Sequence, residues 1–310
     1  MSEVVLQLDG LTKRYGALTS VDDLSLSVNE GEIFGFLGPN GAGKTTAISM
    51  MCGLLKPTAG RVLVDGRPIQ GGGAGVRARV GVCPQDTILW EKLTCLEQLE
   101  YIGEMYGVPR QTARQRGGEL LEALGLAAKA NVTAGKLSGG MKRRLNLALA
   151  LVHDPAIVVL DEPEAGLDPQ SRVLVRDYVR TLARRKTVIL TTHNMDEADR
   201  LADRVAIIDH GRLLALDTPA AIKQSIGQGD VLELELPADP AAAQACLAPF
   251  GLEISTLNHT LLLRGRHLIE RLPDLLTALR TANHPPVEIR LRPNTLEDAF
   301  IALTGRRLRE

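Results

Sequence analysis

The chain has 310 residues, which suits about two domains. Hydrophobic residues make up 45% and charged residues 24%, and the formal net charge is -1, a balance that argues against a nucleic-acid binder, whose domains are usually basic. Aromatic residues, at 3%, offer few surfaces for stacking bases, no apolar stretch approaches the roughly 18 residues that span a bilayer, and the N-terminus lacks the basic region and apolar core of a secretory signal.

Over the first thirty residues apolar and polar positions alternate: Val5, Leu6 and Leu8, then Leu24, Leu26 and Val28, predict antiparallel strands joined by short turns. The run Ile33, Phe34, Gly35, Phe36, Leu37 reads as a buried strand, and a helix is expected over 45–55. Between them stand Gly38, Pro39, Asn40, Gly41, Ala42, Gly43, Lys44, Thr45 and Thr46, which match the phosphate-binding pattern G-x-x-x-x-G-K-[ST] at every required position. Residues 61–66 read as a strand and turn, and the glycine-rich 70–75 as a surface turn. From 93 to about 140 the pattern is helical, with Leu96, Leu99, Ile102 and Met105 on one apolar face and Leu120, Leu121, Leu124 and Leu126 on a second. A strand at 157–160, a helix at 170–185, a strand at 187–190, a helix at 195–202 and a strand at 205–208 follow. Nearly continuous apolar strands between helices predict a parallel sheet covered on both faces.

A seam is expected at 225–230. Beyond it come a strictly alternating strand at 231–236, an Ala-rich helix at 240–248, strands at 252–257 and 260–264 around an Asn258, His259 turn, an amphipathic helix at 267–281 and a strand at 286–292. That order, β-α-β-β-α-β, is the ferredoxin-like split arrangement. A last helix, 295–304, opens with a capping box of Thr295 and Asp298 and ends at Gly305 before Arg306 and Arg307. The chain thus divides into residues 1–224, with a helical insertion at about 87–140, and a small α+β domain at 230–310. Cys52, Cys83, Cys95 and Cys246 show no metal-ligand spacing and read as free, mostly buried thiols of a reducing cytoplasm.

The chemistry begins at the phosphate loop. Its glycines let the backbone wrap a phosphate, and its N–H groups with the helix start form a concave anion site. Lys44 can reach the β- and γ-phosphates, and the Thr45 hydroxyl suits Mg2+. Asp161 ends the strand at 157–160, where α/β sheets bind ligands, and can hold Mg2+ directly or through water. Glu162, with its longer reach, is the candidate for polarising an attacking water. Ser138 is a good N-cap, and with Gly139 and Gly140 it makes a second helix start fit for an anion.

With these parts in order, residues 5–220 resemble the ATP-binding subunits of ABC transporters. Residues 38–46 and 157–162 resemble their Walker A and Walker B segments, and Leu137, Ser138, Gly139, Gly140, Met141 their signature motif. Gln85 matches the Q-loop glutamine, Asp168 in Gly166, Leu167, Asp168 the D-loop, His193 the switch histidine and Tyr15 the aromatic that stacks on adenine. The resemblance implies a P-loop ATPase core with an antiparallel β subdomain and a helical subdomain. It implies that Gln85 ligates Mg2+ and senses the γ-phosphate, that His193 bonds that phosphate, and that ATP lies between Lys44 of one subunit and Ser138, Gly139 and Gly140 of another. The second subunit is a copy or a paralogue, a homodimer being the first expectation. One position departs from the commonest pattern: Glu164 stands where related subunits often have threonine or serine, and a modest electrostatic effect is expected.

The segment 293–305 and the run Glu162, Pro163, Gly166, Leu167, Asp168, Pro169 resemble drug-export ATPase subunits of the daunorubicin-resistance type. That implies a separate membrane-spanning permease and a place on the cytoplasmic face of the membrane. Ile88, Leu89 and Trp90 either grip that permease or pack the helical subdomain. The tail is a dimerisation or regulatory element or a structural appendage, with no convergent polar cluster to suggest a sensor. A soluble ABC ATPase acting on nucleic acid or ribosomes and a nucleotide-binding module without turnover are the rival readings; the single ATPase unit and the charge balance disfavour the first, Glu162 and His193 the second.

Overall fold

A computed structural model describes residues 3–70, 73–183, 185–226, 230–237, 240–265 and 267–304. The chain divides into two units, Met1–Pro219 and Ala220–Arg307. The division falls one helix before the expected seam, of which residues 227–229 lie outside the described residues.

The first unit opens with β1 (Val4–Tyr15) and β2 (Leu18–Asn29), then β3 (Ile33–Leu37), α1 (Lys44–Met51), β4 (Ala59–Val64), β5 (Arg67–Pro68), α2 (Gly73–Arg77) and β6 (Val80–Cys83). Next come α3 (Cys95–Met105), α4 (Arg110–Ala123) and α5 (Gly139–Leu151). The remainder is β7 (Ile157–Asp161), α6 (Pro169–Leu182), β8 (Thr187–Thr192), α7 (Met195–Leu201), β9 (Arg204–Asp209), β10 (Arg212–Asp217) and α8 (Pro219–Ser225), the last lying on the division. Strands β2-β1-β4-β5 form an antiparallel sheet and β10-β9-β3-β8-β7-β6 a six-stranded sheet, parallel except for the β10 edge.

The six-stranded sheet is buried on both faces, and the two-residue period of a strand sorts its side chains into two cores. Ile157, Val159, Phe34, Phe36 and Ile189 join Leu6, Leu8, Leu24 and Val62 of the antiparallel sheet and Met50 of α1. Val158, Leu160, Val188 and Leu190 join Leu99 of α3, Leu121 of α4 and Leu145 of α5. Each fully buried aliphatic side chain contributes roughly 1.5–3 kcal/mol.

Several expectations need correction. Met105 is exposed, not on the apolar face of α3. A strict spacing of three falls about 60° short of a full turn at each step, so the residue nine positions on stands opposite the first. The helix buries Cys95, Gln98 and Leu99 instead. In the glycine-rich stretch Gly73–Arg77 is a short helix and not a turn, while Gly71 and Gly72 lie outside the described residues. The helix after the phosphate loop stops at Met51, four residues early, and β6 and β10 were too short or too half-exposed to read by period.

The second unit is β11 (Asp230–Glu235), α9 (Pro240–Leu247), β12 (Glu253–Leu257), β13 (Thr260–Gly265), α10 (Leu268–Thr281), β14 (Glu288–Pro293) and α11 (Leu296–Thr304). Its strands pair antiparallel in the order β12-β13-β11-β14, the ferredoxin-like topology. Leu232, Leu234, Leu261 and Leu263 pack with Leu247 of α9 and Leu275 and Leu279 of α10. The opposite face carries a convergent polar cluster, contrary to expectation. Arg292 bridges Glu233 at 2.8 Å and Asp298 at 2.5 Å, and Arg264 lies 3.6 Å from Asp298. Thr295 and Asp298 form the expected capping box of α11, with reciprocal bonds of 3.2 and 2.8 Å; Gly305, Arg306 and Arg307 lie outside the described residues.

Candidate functional site

Four neighbouring parallel strands, β3, β8, β7 and β6, deliver the site from their C-terminal ends. In that order they carry the phosphate loop, His193, Asp161 with Glu162, and Gln85. This is where open α/β sheets place ligands. The loop and these side chains line a cavity of about 190 Å³ formed by Ser20, Asn40, Gly41, Gly43, Lys44, Thr45, Thr46, Gln85, Asp161 and Glu162. A larger groove of about 900 Å³ lies at the other ends of the strands, among Arg79, Ala156 and Lys186, and shares no residue with it.

Two loop glycines are sterically required. A Cβ on Gly38 would stand 2.4 Å from the Ile208 carbonyl oxygen, and one on Gly43, at φ 100°, would stand 2.3 Å from that of Ser20. Lys44 is buried and curls back, donating to the carbonyls of Gly38 at 2.6 Å and Pro39 at 3.0 Å. Burial pushes its pKa down, against the pull of Glu162 and Asp161. Thr45, exposed in the first turn of α1, lines the cavity, and Ser20 bonds Thr46 at 3.0 Å.

Across the cavity, Glu162 is gripped twice. Gln85 Nε2 donates to its Oε2 at 3.1 Å, and His193 Nδ1 lies 2.9 Å from its Oε1. A carboxylate only accepts, so this contact places the imidazole proton on Nδ1 and leaves Nε2 as an acceptor. Glu162 sits at φ 49°, a left-handed conformation that costs about 1–2 kcal/mol. Thr191 holds it there: the Glu162 N–H reaches both the carbonyl and the hydroxyl of Thr191 at 3.1 Å, and that hydroxyl also donates to Asp161. Asp161 is buried with Oδ1 so bonded.

Thr45, Gln85 and Asp161 therefore face one cavity with a hydroxyl, an amide and a single carboxylate. Oxygen donors of this kind fit Mg2+, which leaves coordination positions for water and phosphate. Among the described residues no cluster of three His, Cys, Asp or Glu suits a softer metal.

Other expected site residues stand apart. Ser138 caps α5, accepting from the Met141 N–H at 3.3 Å, and neither it nor Gly139 nor Gly140 lines the cavity of its own chain. Gly140 adjoins Asp168, whose Oδ2 lies 3.6 Å from the place of a Cβ there. Asp168 caps α6 through the N–H groups of Gln170 and Ser171, and bonds from Ser171 hold its pKa below the usual carboxylate range. Tyr15 is half exposed at the end of β1, outside the cavity lining, with the Lys13 ammonium 5.2 Å from its ring centre. Leu89 packs into the second core, whereas Ile88 and Trp90 are exposed, Trp90 edge-on to Tyr101 at 5.4 Å.

Glu164 has a partner that the sequence did not show. It is 7% exposed and held by Arg176 through bonds of 2.9 and 2.7 Å, so its charge is closed off from the cavity. Sequence reasoning missed two further groups. Glu197 of α7 is buried, bonds Thr192 at 2.6 Å just before His193, and has its pKa pushed up to about 7 by burial. Arg143 of α5 reaches four backbone carbonyls around the site. Its signal was present: it falls on the same helical face as Asn146, Leu147 and Ala150, which are core positions.

Comparison with known proteins agrees with this geometry. The ABC transporter family model matches residues 21–165. The chain is 43% identical over 311 residues to a Nod factor export ATP-binding protein I of Burkholderia orbicola, covering 100% of both chains. It is 42% identical over 314 residues to one of Ralstonia nicotianae, covering 100% of this chain and 96% of that protein. Among solved structures, a dimeric ATP-binding cassette in a post-hydrolysis state with ADP and Pi superimposes with a TM-score of 0.63 at 26% identity, over 69% of this chain and 98% of the other.

Proposed function

We infer the function from one premise: the chain belongs to the ATP-binding subunits of ABC transporters. It is an ATPase that binds ATP with Mg2+, dimerises and drives an exporter through a transmembrane component. We propose that Glu162 is the general base of hydrolysis. The observation that carries this reading is the double grip of Gln85 and His193 on its carboxylate, at the wall of the cavity that Lys44 and Thr45 line.

In this reading Lys44 leaves the loop carbonyls for the β- and γ-phosphates, exchanging two neutral acceptors for charged ones. Thr45, Asp161 and Gln85 would hold Mg2+, which would supply positive charge against the phosphates. Glu162, turned toward the γ-phosphate, takes a proton from the attacking water, and His193, released from Glu162 by that turn, gives its Nδ1–H to the γ-phosphate. Ser138, Gly139 and Gly140 reach the nucleotide of a second, identical subunit, because they stand away from the cavity of their own chain. Asp168, beside Gly140, belongs to that same surface. Tyr15 stacks on adenine.

No helix among the described residues is long and apolar enough to cross a membrane, which suits an ATPase bound from the cytoplasmic side to a separate permease. Ile88 and Trp90 supply the exposed apolar surface for that permease. The relatives named for Nod factor export make such a molecule the first cargo to test, ahead of the drugs implied by a daunorubicin-resistance resemblance.

The deciding variant is Glu162→Gln, which keeps shape and removes the base. Steady-state Mg-ATP hydrolysis should fall by about 10²-fold or more while nucleotide affinity changes little. Hydrolysis at the wild-type rate would overturn the assignment.

A further inference from the structure

Arg143 sits five residues after Ser138 on α5, about 7.5 Å along the helix. It is 6% exposed. One nitrogen of its guanidinium donates to the carbonyls of Pro84 at 2.5 Å and Gln85 at 2.8 Å; the other donates to those of Asp161 and of Glu162, the latter at 2.8 Å. All four acceptors are neutral, and among the described residues no carboxylate bonds the guanidinium to offset the cost of taking this charge out of water. Packing alone would be served by an apolar side chain, as at Leu145 and Leu147 beside it. What an arginine adds is a rigid fork that spans two chain segments at once; lysine, with one nitrogen, cannot hold all four acceptors. The segments it spans are those that carry Gln85 and Glu162, whose side chains meet at 3.1 Å. Asn146, one turn on, adds a bond to Pro84 at 3.2 Å. Glu162 keeps a left-handed backbone, which needs support from several sides. Thr191 holds its N–H and Arg143 its carbonyl.

We propose that Arg143 is a positioning residue that ties the helix starting at Ser138 to the backbone of Gln85 and Glu162, so that seating of that helix start against a partner's nucleotide reaches the chain's own catalytic carboxylate. The inference rests on the reading of Glu162 as the base. It concerns the orientation of that carboxylate and not the binding of ATP, and this separates it from a purely structural role.

The test compares Arg143→Met and Arg143→Lys in the full chain, by Mg-ATP turnover, by binding of a fluorescent ATP analogue and by thermal melting. For Arg143→Met, kcat is expected to fall about 10²-fold, as a misplacement near 1 Å would cause, with analogue affinity within about threefold of wild type. Arg143→Lys should recover part of the loss. In a Gln85→Ala background the same substitution should cost less than about threefold more, because both changes loosen one contact. Turnover within about twofold of wild type overturns the proposal, as does a loss that multiplies independently with Gln85→Ala and follows melting temperature. If Arg143→Met does not fold, Arg143→Lys decides by the same readouts. A Glu162→Gln protein that hydrolyses normally would remove the underlying reading; an inactive Glu162→Gln beside a normal Arg143→Met would remove only this inference.

Discussion

Lys44, Asp161 and Glu162 in the first unit and Arg264, Arg292 and Asp298 in the second are charge clusters of similar size, closed in different ways. In the first, the cation bonds to the carbonyls of Gly38 and Pro39, while the acids take bonds from Thr191, Gln85 and His193. Among the described residues no ion pair joins Lys44 to either acid, although they line one cavity. In the second, the guanidinium of Arg292 closes on Asp298 and Glu233, and Arg264 approaches Asp298 and Glu253. Opposite charges kept apart across a cavity suit a ligand that itself carries both signs, as a nucleotide with its cation does. Charges closed on each other hold a helix to a sheet. Burial of polar groups marks a site only where the partners are withheld.

The largest effect should come from opening the first cluster further. Lys44→Ala is expected to reduce Mg-ATP turnover by about 10³-fold, the loss of the main cation facing the transferred phosphoryl. Folding stability should hold or rise, because burial has already pushed the Lys44 pKa down and the charged form is a burden to the folded chain. A melting temperature several degrees below wild type would break the comparison, since Lys44 would then act as a structural cation.

The second cluster should show the reverse. Asp298→Ala leaves two arginines without their shared carboxylate and removes the side-chain half of the α11 capping box, and a loss of about 3–5 kcal/mol in the second unit is expected. Hydrogen exchange of the α11 amides would read it. Burial raises the Asp298 pKa, but bonds from Arg292 and Thr295 outweigh it and hold the carboxyl below its usual range. Its contribution is therefore complete above the unfolded carboxylate pKa of about 3.9 and fades as pH falls through the lower folded value. Protection of α11 should fall across that acid range in the wild type and be pH-independent there in Asp298→Ala. Equal protection in both proteins would show that the cluster holds nothing.

The two clusters also differed in how far they could be read from sequence. The phosphate loop was legible because nine consecutive residues carry its chemistry, and Asp161 because a strand of uniform apolar character points at it. Gln85, Asp168, His193 and Tyr15 needed the family resemblance, since each alone is an ordinary loop side chain. The helical face of Arg143 gave its burial but not its partners, which lie 18 to 59 residues away, and Thr191 escaped notice because its contacts span 29 to 30 residues, distances over which no local period carries information. In the second unit the order of elements was plain, but the polar face was not: Glu233, Arg264 and Arg292 sit on alternating positions that read as solvated until the sheet order brings them under α11.

Glu164 lies at the border of the two kinds and offers the finest test. By position it belongs to the open cluster, two residues after Glu162; by geometry it belongs to the closed kind, since both its oxygens are taken by Arg176. The pairing also raises the Arg176 pKa, through that hydrogen bond foremost. Glu164→Gln keeps the shape and weakens two charge-assisted bonds, so a cost of about 1–3 kcal/mol and a change in turnover below about threefold are expected. Melting and Mg-ATP turnover, measured together, separate the two kinds. A tenfold fall in turnover at unchanged stability would mean that its charge is felt at Glu162 despite Arg176, and that closure by a guanidinium does not isolate a buried acid from a site two residues away.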